Sequence, residues 1–118
     1  MGKPEIFREP LATETTRRLA DETFGDMIKF VADIDRKIIC AGGGMHVDEE
    51  ALLLQDGSAQ EDLWGANYYL DDRSDERFEY TSMINIRPRD NNRKILIESE
   101  AVRRTVRELA EHFFEGKL

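Results

Sequence analysis

The sequence predicts an α+β fold with two layers, in which a three- to four-stranded antiparallel meander sheet carries about three helices on one face. Three observations lead to this prediction. Residues 78–87 alternate between apolar and polar side chains, as a half-buried strand does. The pair Asp56-Gly57 stands between two β-like runs and is typical of a hairpin turn. Residues 26–38 and 99–113 instead carry apolar side chains at helical spacing.

The length and composition indicate one globular domain over residues 1–118, with 40% hydrophobic and 36% charged residues. A net charge of −8 argues against nucleic acid as the partner, because clustered Lys and Arg neutralise phosphates. Residues 44–79 hold eleven acidic and two basic side chains, whereas residues 80–118 hold eight basic and six acidic ones. This asymmetry is typical of a solvated surface, and it also suits the pairing of one subunit's acidic part with another's basic end.

The cysteine count and the lack of long apolar runs indicate where in the cell the protein is found. A single cysteine, Cys40, has no partner for an internal disulfide and offers no metal-binding spacing. No apolar run is long enough to span a bilayer, and the first ten residues lack the apolar core of a secretory signal. We therefore expect a soluble, cytoplasmic protein without a membrane partner.

The first predicted elements are a short strand and a helix. Ile6 and Phe7 lie between two prolines in a segment of residues 4–10, which is long enough only for an edge strand or an arm against the core. Residues 13–24 are good helix formers, and Thr13 is a suitable residue to cap them.

A second, more buried helix is predicted over residues 26–38, with Asp26 as its cap. Gly42-Gly43-Gly44 then closes it, because glycine adopts the left-handed backbone at the end of a helix without steric cost. The triple glycine also resembles a phosphate-binding loop. That function is disfavoured, because the predicted loop follows a helix and no Lys-Ser/Thr comes after it.

The meander occupies residues 44–88. A two-residue turn at Asp56-Gly57 makes residues whose numbers sum to 113 face each other, so that strand 45–54 pairs with residues 59–68. The inward face of the sheet then contains Met45, Val47, Trp64, Ala66, Tyr68, Phe78 and Ile84. A helix over residues 47–54 is the main alternative.

Ser99 is expected to cap the last helix.

The same register places seven polar side chains on the outer face of the sheet, which are His46, Asp48, Glu50, Asn67, Thr81, Asn85 and Arg87. In a ligand site, His46 could act as a base oriented by Asp48, while Asn85 and Arg87 hold an anion. A solvated outer face explains the same pattern without any ligand.

A divalent metal is the one cofactor that the pattern suggests. His46, Asp48 and Glu50 alternate along the predicted strand and offer an imidazole and two carboxylates. Same-face residues on a strand are about 7 Å apart, so that metal bonds of about 2 Å would need a bulge. Metal binding is therefore a weak prediction, and no other cofactor is predicted.

Apolar side chains on the same outer face suggest an interface. Leu52, Leu54, Leu63, Tyr69 and Met83 form the predicted patch, and apolar patches with a polar rim often mark contacts between proteins. The favoured hypothesis is a non-catalytic protein that associates with itself, as a dimer, or with a partner. The alternative is a small enzyme or a ligand- or metal-binding domain centred on His46, Asp48, Asn67 and Arg87. The sequence does not decide whether the protein is an enzyme.

Three motifs resemble a family of small prokaryotic proteins classified as a domain of unknown function. They are GGMHVDEE at residues 43–50, QEDLWGAN at residues 60–67 and SMINIRP at residues 82–88. The family loop after the proline is of a Ser-Gln-Gly-Asn-Arg type, so that Asn92 and Arg93 match it as further ligand candidates, while Asn91 replaces its glycine. The resemblance implies a cytoplasmic bacterial or archaeal protein and implies no activity.

Overall fold

A computed structural model describes residues 2–118 as an antiparallel sheet of five strands with helices on both faces. The strands are β1 (Glu5–Phe7), β2 (Met27–Asp33), β3 (Ile38–Ala41), β4 (Leu63–Tyr69) and β5 (Phe78–Glu79). The helices are α1 (Thr13–Asp21), α2 (His46–Gln55) and α3 (Glu100–Glu115). The order across the sheet is β1-β3-β2-β4-β5. The α+β class, the antiparallel sheet and the number of helices are confirmed, and the strand count is corrected to five.

Two apolar cores lie on opposite faces of the sheet. Phe30 and Ala32 of β2 pack in the larger core with α1 and α3, whereas Val31 between them packs in a smaller core with Leu53 of α2. Since neighbouring strand residues point to opposite faces, α2 covers the face that α1 and α3 leave open. The prediction that all helices lie on one face of a two-layer domain is therefore wrong.

The predicted helix over residues 26–38 is instead the hairpin of β2 and β3. Phe30, Val31 and Ala32 are all fully buried, because β2 is a central strand with a core on each face. A strand of this kind has no alternation, and its apolar run is indistinguishable from that of a buried helix. The turn is stabilised by Asp33, whose carboxylate accepts hydrogen bonds from the amides of Asp35 and Arg36.

The predicted first strand of the meander is helix α2, which was the alternative interpretation. Asp56-Gly57 ends this helix and does not form a hairpin turn. Gly57 has a φ of +109°, the Ser58 amide donates to the Leu53 carbonyl, and the Gly57 amide donates to the Leu54 carbonyl. This is the Schellman arrangement, in which a left-handed residue closes a helix. An Asp-Gly pair is thus compatible both with a hairpin turn and with the end of a helix, and here it ends a helix.

The third predicted strand is mostly irregular. Only Phe78 and Glu79 form a strand, and residues 81–97 double back on themselves through bridges between Thr81 and Leu96 and between Arg87 and Asn92. We call residues 81–97 the basic hairpin, because Arg87, Arg89, Arg93 and Lys94 lie in it.

The predictions at the two ends of the chain are largely confirmed. Residues 5–7 form an edge strand on β3, and α1 falls within the predicted range, although Ala12 and not Thr13 is its N-cap residue. The Ser99 hydroxyl accepts a hydrogen bond from the Val102 amide and caps α3. None of the helices in residues 2–118 is long and apolar enough to cross a membrane.

Candidate functional site: a groove beside the start of α2

A groove of about 380 Å³ lies between the first turn of α2, the outer side of β4 and the basic hairpin. Its walls and floor are formed by Lys29, Gly44, Met45, His46, Val47, Asn67, Thr81, Ser82, Met83, Ile84 and Ile95. Its volume lies within the range of about 300–1,000 Å³ that is usual for ligand sites. No carboxylate from residues 2–118 lines it.

His46 is held at the floor of this groove in its neutral form. Its Nε2 lies 2.8 Å from the Ala66 carbonyl oxygen, which only accepts hydrogen bonds, so that Nε2 carries the proton. Burial lowers the pKa of His46 to about 4, and the charge of Lys29 acts in the same direction. Near pH 7 the ring is therefore neutral, and Nδ1 is a hydrogen-bond acceptor.

Asn67 lies beside His46 and is 5% exposed. Its Nδ2 donates to the Glu79 carboxylate at 2.8 Å, while its Oδ1 is buried without a hydrogen-bond partner in residues 2–118. Buried acceptors without a partner are uncommon in folded proteins and usually have a functional or structural reason. His46 and Asn67 were both predicted as site residues, and the structure brings them together.

The rim of the groove is apolar and solvent-exposed. Met83 is 75% exposed, Met45 58%, Val47 48% and Ile95 46%. Single exposed apolar residues are normal on protein surfaces, but four around one concavity form a patch of the kind that marks binding sites. Met45 and Val47 were predicted to face the core, and α2 instead turns them outward.

Asn85 and Arg87 do not lie in the groove, because they complete the edge of β4. The Asn85 amide bonds to both the N–H and the C=O of Gly65, and Arg87 Nη1 donates to the Leu63 carbonyl at 2.9 Å. The Arg87 guanidinium also packs 4.4 Å from the Trp64 ring centroid. Both side chains replace the strand that is missing beside this part of β4.

Asn92 and Arg93 are also separate from the groove. Asn92 is 2% exposed, and its Nδ2 donates to the carbonyls of Asn85, Lys94 and Leu96, which fixes the fold of the basic hairpin. Arg93 is exposed, and its backbone amide donates to the Glu98 carboxylate.

Comparison with known families identifies the chain. The family described as "Protein of unknown function (DUF5674)" matches residues 5–113. The chain belongs to this family. No curated protein and no solved structure matches it. In this DUF5674 chain the matched region includes every strand and both sides of the groove.

The predicted metal ligands of this DUF5674 chain share a helix and not a strand. His46 and Glu50 are buried one turn apart, while Asp48 is exposed between them. Among residues 2–118, no three His, Cys, Asp or Glu side chains stand close enough together to hold a metal ion. The placement of these residues on one strand face is therefore wrong.

Glu49 of α2 is a buried acid close in sequence to the groove residues. It is fully buried, its Oε2 accepts a hydrogen bond from the Gly43 amide at 3.0 Å, and its Oε1 has no partner in residues 2–118. Burial raises the pKa of Glu49 well above the usual value. Cys40 is also fully buried, and burial raises the pKa of its thiol. No local sequence signal distinguishes the fully buried Glu49 from the exposed Asp48 beside it.

The triple glycine does join a strand, β3, to a helix start, contrary to the prediction that it follows a helix. Gly42 has a φ of +91° and lies against Leu19, where a Cβ would come within 2.7 Å of a side-chain carbon. The Gly43 amide, however, already binds Glu49. The loop thus serves close packing and holds an internal carboxyl group.

Proposed function

We propose that this DUF5674 protein is a non-catalytic binding protein that associates with a protein partner or with a second copy through the groove beside α2. The observation that carries the proposal is the exposed apolar rim of Met45, Val47, Met83 and Ile95 around one concavity. Apolar side chains of a partner that enter the groove would be removed from water together with this rim.

The polar groups of the groove favour a peptide chain as the group that is bound. His46 Nδ1 and Asn67 Oδ1 are acceptors, whereas Lys29 is a donor. The N-cap residue of α2, Met45, lines the groove and forms no capping side-chain hydrogen bond. A peptide backbone presents both N–H and C=O groups and therefore suits such a mixed set.

Catalysis is disfavoured by the state of the polar residues that were candidates for it. Asn85 Nδ2 donates to backbone carbonyls, and Arg87 donates from Nε to Asp90 and from Nη1 to backbone carbonyls. Arg87 Nη2 is buried without a partner in residues 2–118, but neither Asn85 nor Arg87 lines the groove, so that both side chains serve the fold beside β4. His46 is a weak base, since its pKa is about 4.

The proposal is tested by selecting binders from a random peptide library on the wild-type protein. The variant with Met83→Asp and Ile95→Asp should bind the selected peptides at least about tenfold more weakly, because each buried apolar side chain contributes about 1.5–3 kcal/mol. Leu54→Asp is the matched control, because Leu54 is exposed on α2 and does not line the groove. It should leave binding unchanged.

Failure to enrich any peptide, or peptides that bind the groove variant as well as the wild type, would contradict the proposal. Circular dichroism and thermal unfolding of the variants verify that they fold. Sedimentation over a wide concentration range distinguishes a second copy from another partner, because a dimer dissociates on dilution and its dissociation should become easier in the groove variant.

A small neutral ligand is a second candidate occupant, favoured by the unpaired and buried Oδ1 of Asn67. Such a ligand would bear an N–H or O–H donor on an apolar body. Ligand-observed NMR with a fragment set distinguishes this candidate, because its hits would compete with the selected peptides and be lost in Asn67→Leu.

A further inference from the structure

The basic hairpin carries three exposed cations that have no ionic partner within residues 2–118. They are Arg89, Arg93 and Lys94. The ion pairs found in these residues use Arg8, Arg17, Arg18, Arg36, Arg77, Arg87 and Lys117 as the cations. Six of the twelve arginines form ion pairs within residues 2–118, and Arg89 and Arg93 of the hairpin are among the six that do not.

Exposed apolar side chains are interspersed with these cations. Met83, Ile86, Ile95 and Leu96 of the hairpin are between 40% and 75% exposed. Lys94 directly precedes Ile95, which lines the groove together with Met83. The mixture of Arg, Met and aliphatic side chains resembles protein interfaces, where Arg and Met are enriched.

The basic hairpin carries four cations and one acid, Asp90, so that its net charge of +3 is opposite in sign to that of the whole protein. The chain has a net charge of −8, yet Lys29 is the one charged side chain of residues 2–118 that lines the groove. The hairpin adds Lys94, which directly precedes Ile95 of the groove wall, and carries Arg93 and Arg89 farther along the same segment. Electrostatic complementarity favours a negatively charged group at such a surface and accelerates its encounter.

We propose that the occupant is an acidic segment of a different protein, which places an apolar side chain in the groove and carboxylates against Arg89, Arg93 and Lys94. This inference rests on the proposed binding function and specifies the chemistry of the partner. In this complex the partner's carboxylates provide most of the selectivity, and its apolar side chain in the groove provides most of the affinity.

A second copy is a poorer occupant of this face. In a two-fold dimer the same patch contacts itself, which would bring unpaired cations of both copies together. The acidic loop that includes Asp72 and Asp75 lies outside the groove. Its docking on another copy would make a head-to-tail contact that generates open chains unless the rotation closes a ring.

Nucleic acid and anionic membranes are also poorer occupants. The net charge of −8 repels both polyanions, and strong phosphate binding requires more clustered cations than these three. The apolar rim has no role in binding to a phosphate backbone, whereas it accommodates the side chains of a protein segment.

The experiment uses a fluorescent peptide of alternating leucine and glutamate, and a matched peptide in which glutamine replaces every glutamate. We expect the acidic peptide to bind the protein about tenfold more tightly than the glutamine peptide, because its carboxylates can pair with the three cations. The triple variant Arg89→Gln, Arg93→Gln and Lys94→Gln should lose this preference, and added salt should weaken binding to the wild type.

A matched control removes the same charge elsewhere. Lys3, Arg73 and Arg104 are exposed and form no ion pair within residues 2–118, so that Lys3→Gln with Arg73→Gln and Arg104→Gln should retain binding. Equal loss in both triple variants would overturn the inference, because it would reflect net charge alone.

The remaining outcomes separate the two proposals. Equal binding of both peptides, still abolished by Met83→Asp with Ile95→Asp, overturns the acidic partner and retains the groove as a binding site. Binding that is insensitive to the groove variant counts against the proposed function itself. Absence of binding by either peptide overturns the inference. Binding to vesicles of phosphatidylcholine and phosphatidylglycerol that is tighter than binding to the acidic peptide, and that is lost in the triple variant of the three cations, also overturns it.

Discussion

The side chain of Asn85 pairs with Gly65 as the backbone of a neighbouring strand would. Its Oδ1 accepts from the Gly65 amide at 2.9 Å, and its Nδ2 donates to the Gly65 carbonyl at 3.0 Å. Gly65 is suited to this position because a Cβ there would come within 2.6 Å of Ser82. The two residues belong to the QEDLWGAN and SMINIRP segments, and their pairing gives both segments a structural role.

Asn85→Ala should destabilise the fold strongly. The Asn85 side chain is fully buried, and its removal leaves the Gly65 N–H and C=O without these partners. We expect a loss of about 2–4 kcal/mol in the free energy of unfolding, measured by urea denaturation, since an unsatisfied buried polar group costs about 1–3 kcal/mol. Gln55→Ala at the exposed end of α2 is the control and should change stability by less than about 0.5 kcal/mol. A loss no larger than that of the control would contradict the strand-replacing role.

His46 should make stability depend on pH in the mildly acidic range. Its pKa is about 4 in the folded protein and about 6.5 when unfolded, so that the unfolded state binds more protons between these values. Stability is therefore full above about pH 6.5 and falls as the pH decreases toward 4. Wild type should lose about 1–2 kcal/mol more than His46→Gln between about pH 7 and about pH 5. An NMR titration of the His46 ring with its midpoint near 6.5 would contradict the burial argument.

Glu49 should have the opposite effect on stability. Its pKa is raised in the folded state, so that the stabilisation is present below the unfolded pKa and is lost as the pH rises. Glu49→Gln mimics the protonated acid and should unfold at higher urea concentration than wild type near pH 8, with the difference shrinking toward pH 4.5. Glu61→Gln on the exposed surface is the matched control. A Glu49→Gln protein that is less stable than wild type at high pH would show that the ionised carboxylate is required.

Asn91 occupies a left-handed backbone position, with a φ of 61° and a ψ of 27°. Asparagine tolerates this region better than other residues with a Cβ, and glycine would adopt it without steric cost. Asn91→Ala should cost about 1 kcal/mol, whereas Asn91→Gly should change stability by less than about 0.5 kcal/mol. Equal thermal unfolding of the alanine and glycine variants would contradict a backbone explanation.

The sequence predicts a helix correctly where its capping residue and its apolar face are both local features. Ser99 caps α3 as predicted, and Val106 and Phe113 are buried on its apolar side. The α+β class and an antiparallel sheet also agree with the prediction, although one predicted helix is a hairpin and one predicted strand is a helix. Residues 5–113 match a family of unknown function, as the resemblance implied. The cap at Ser99 and the apolar side of α3 depend on residues that are close together in the chain, which the sequence records directly.

The sequence by itself determined an acidic α+β domain, its terminal elements and the polar residues available for a site. The tertiary structure decided that residues 26–38 form a hairpin buried on both faces and that Asp56-Gly57 ends a helix. It also separated His46 and Asn67, which line the groove, from Asn85 and Arg87, which bind backbone groups of β4. The physical reason is that burial on a second face and hydrogen bonds across twenty residues of chain depend on packing partners that local periodicity does not contain.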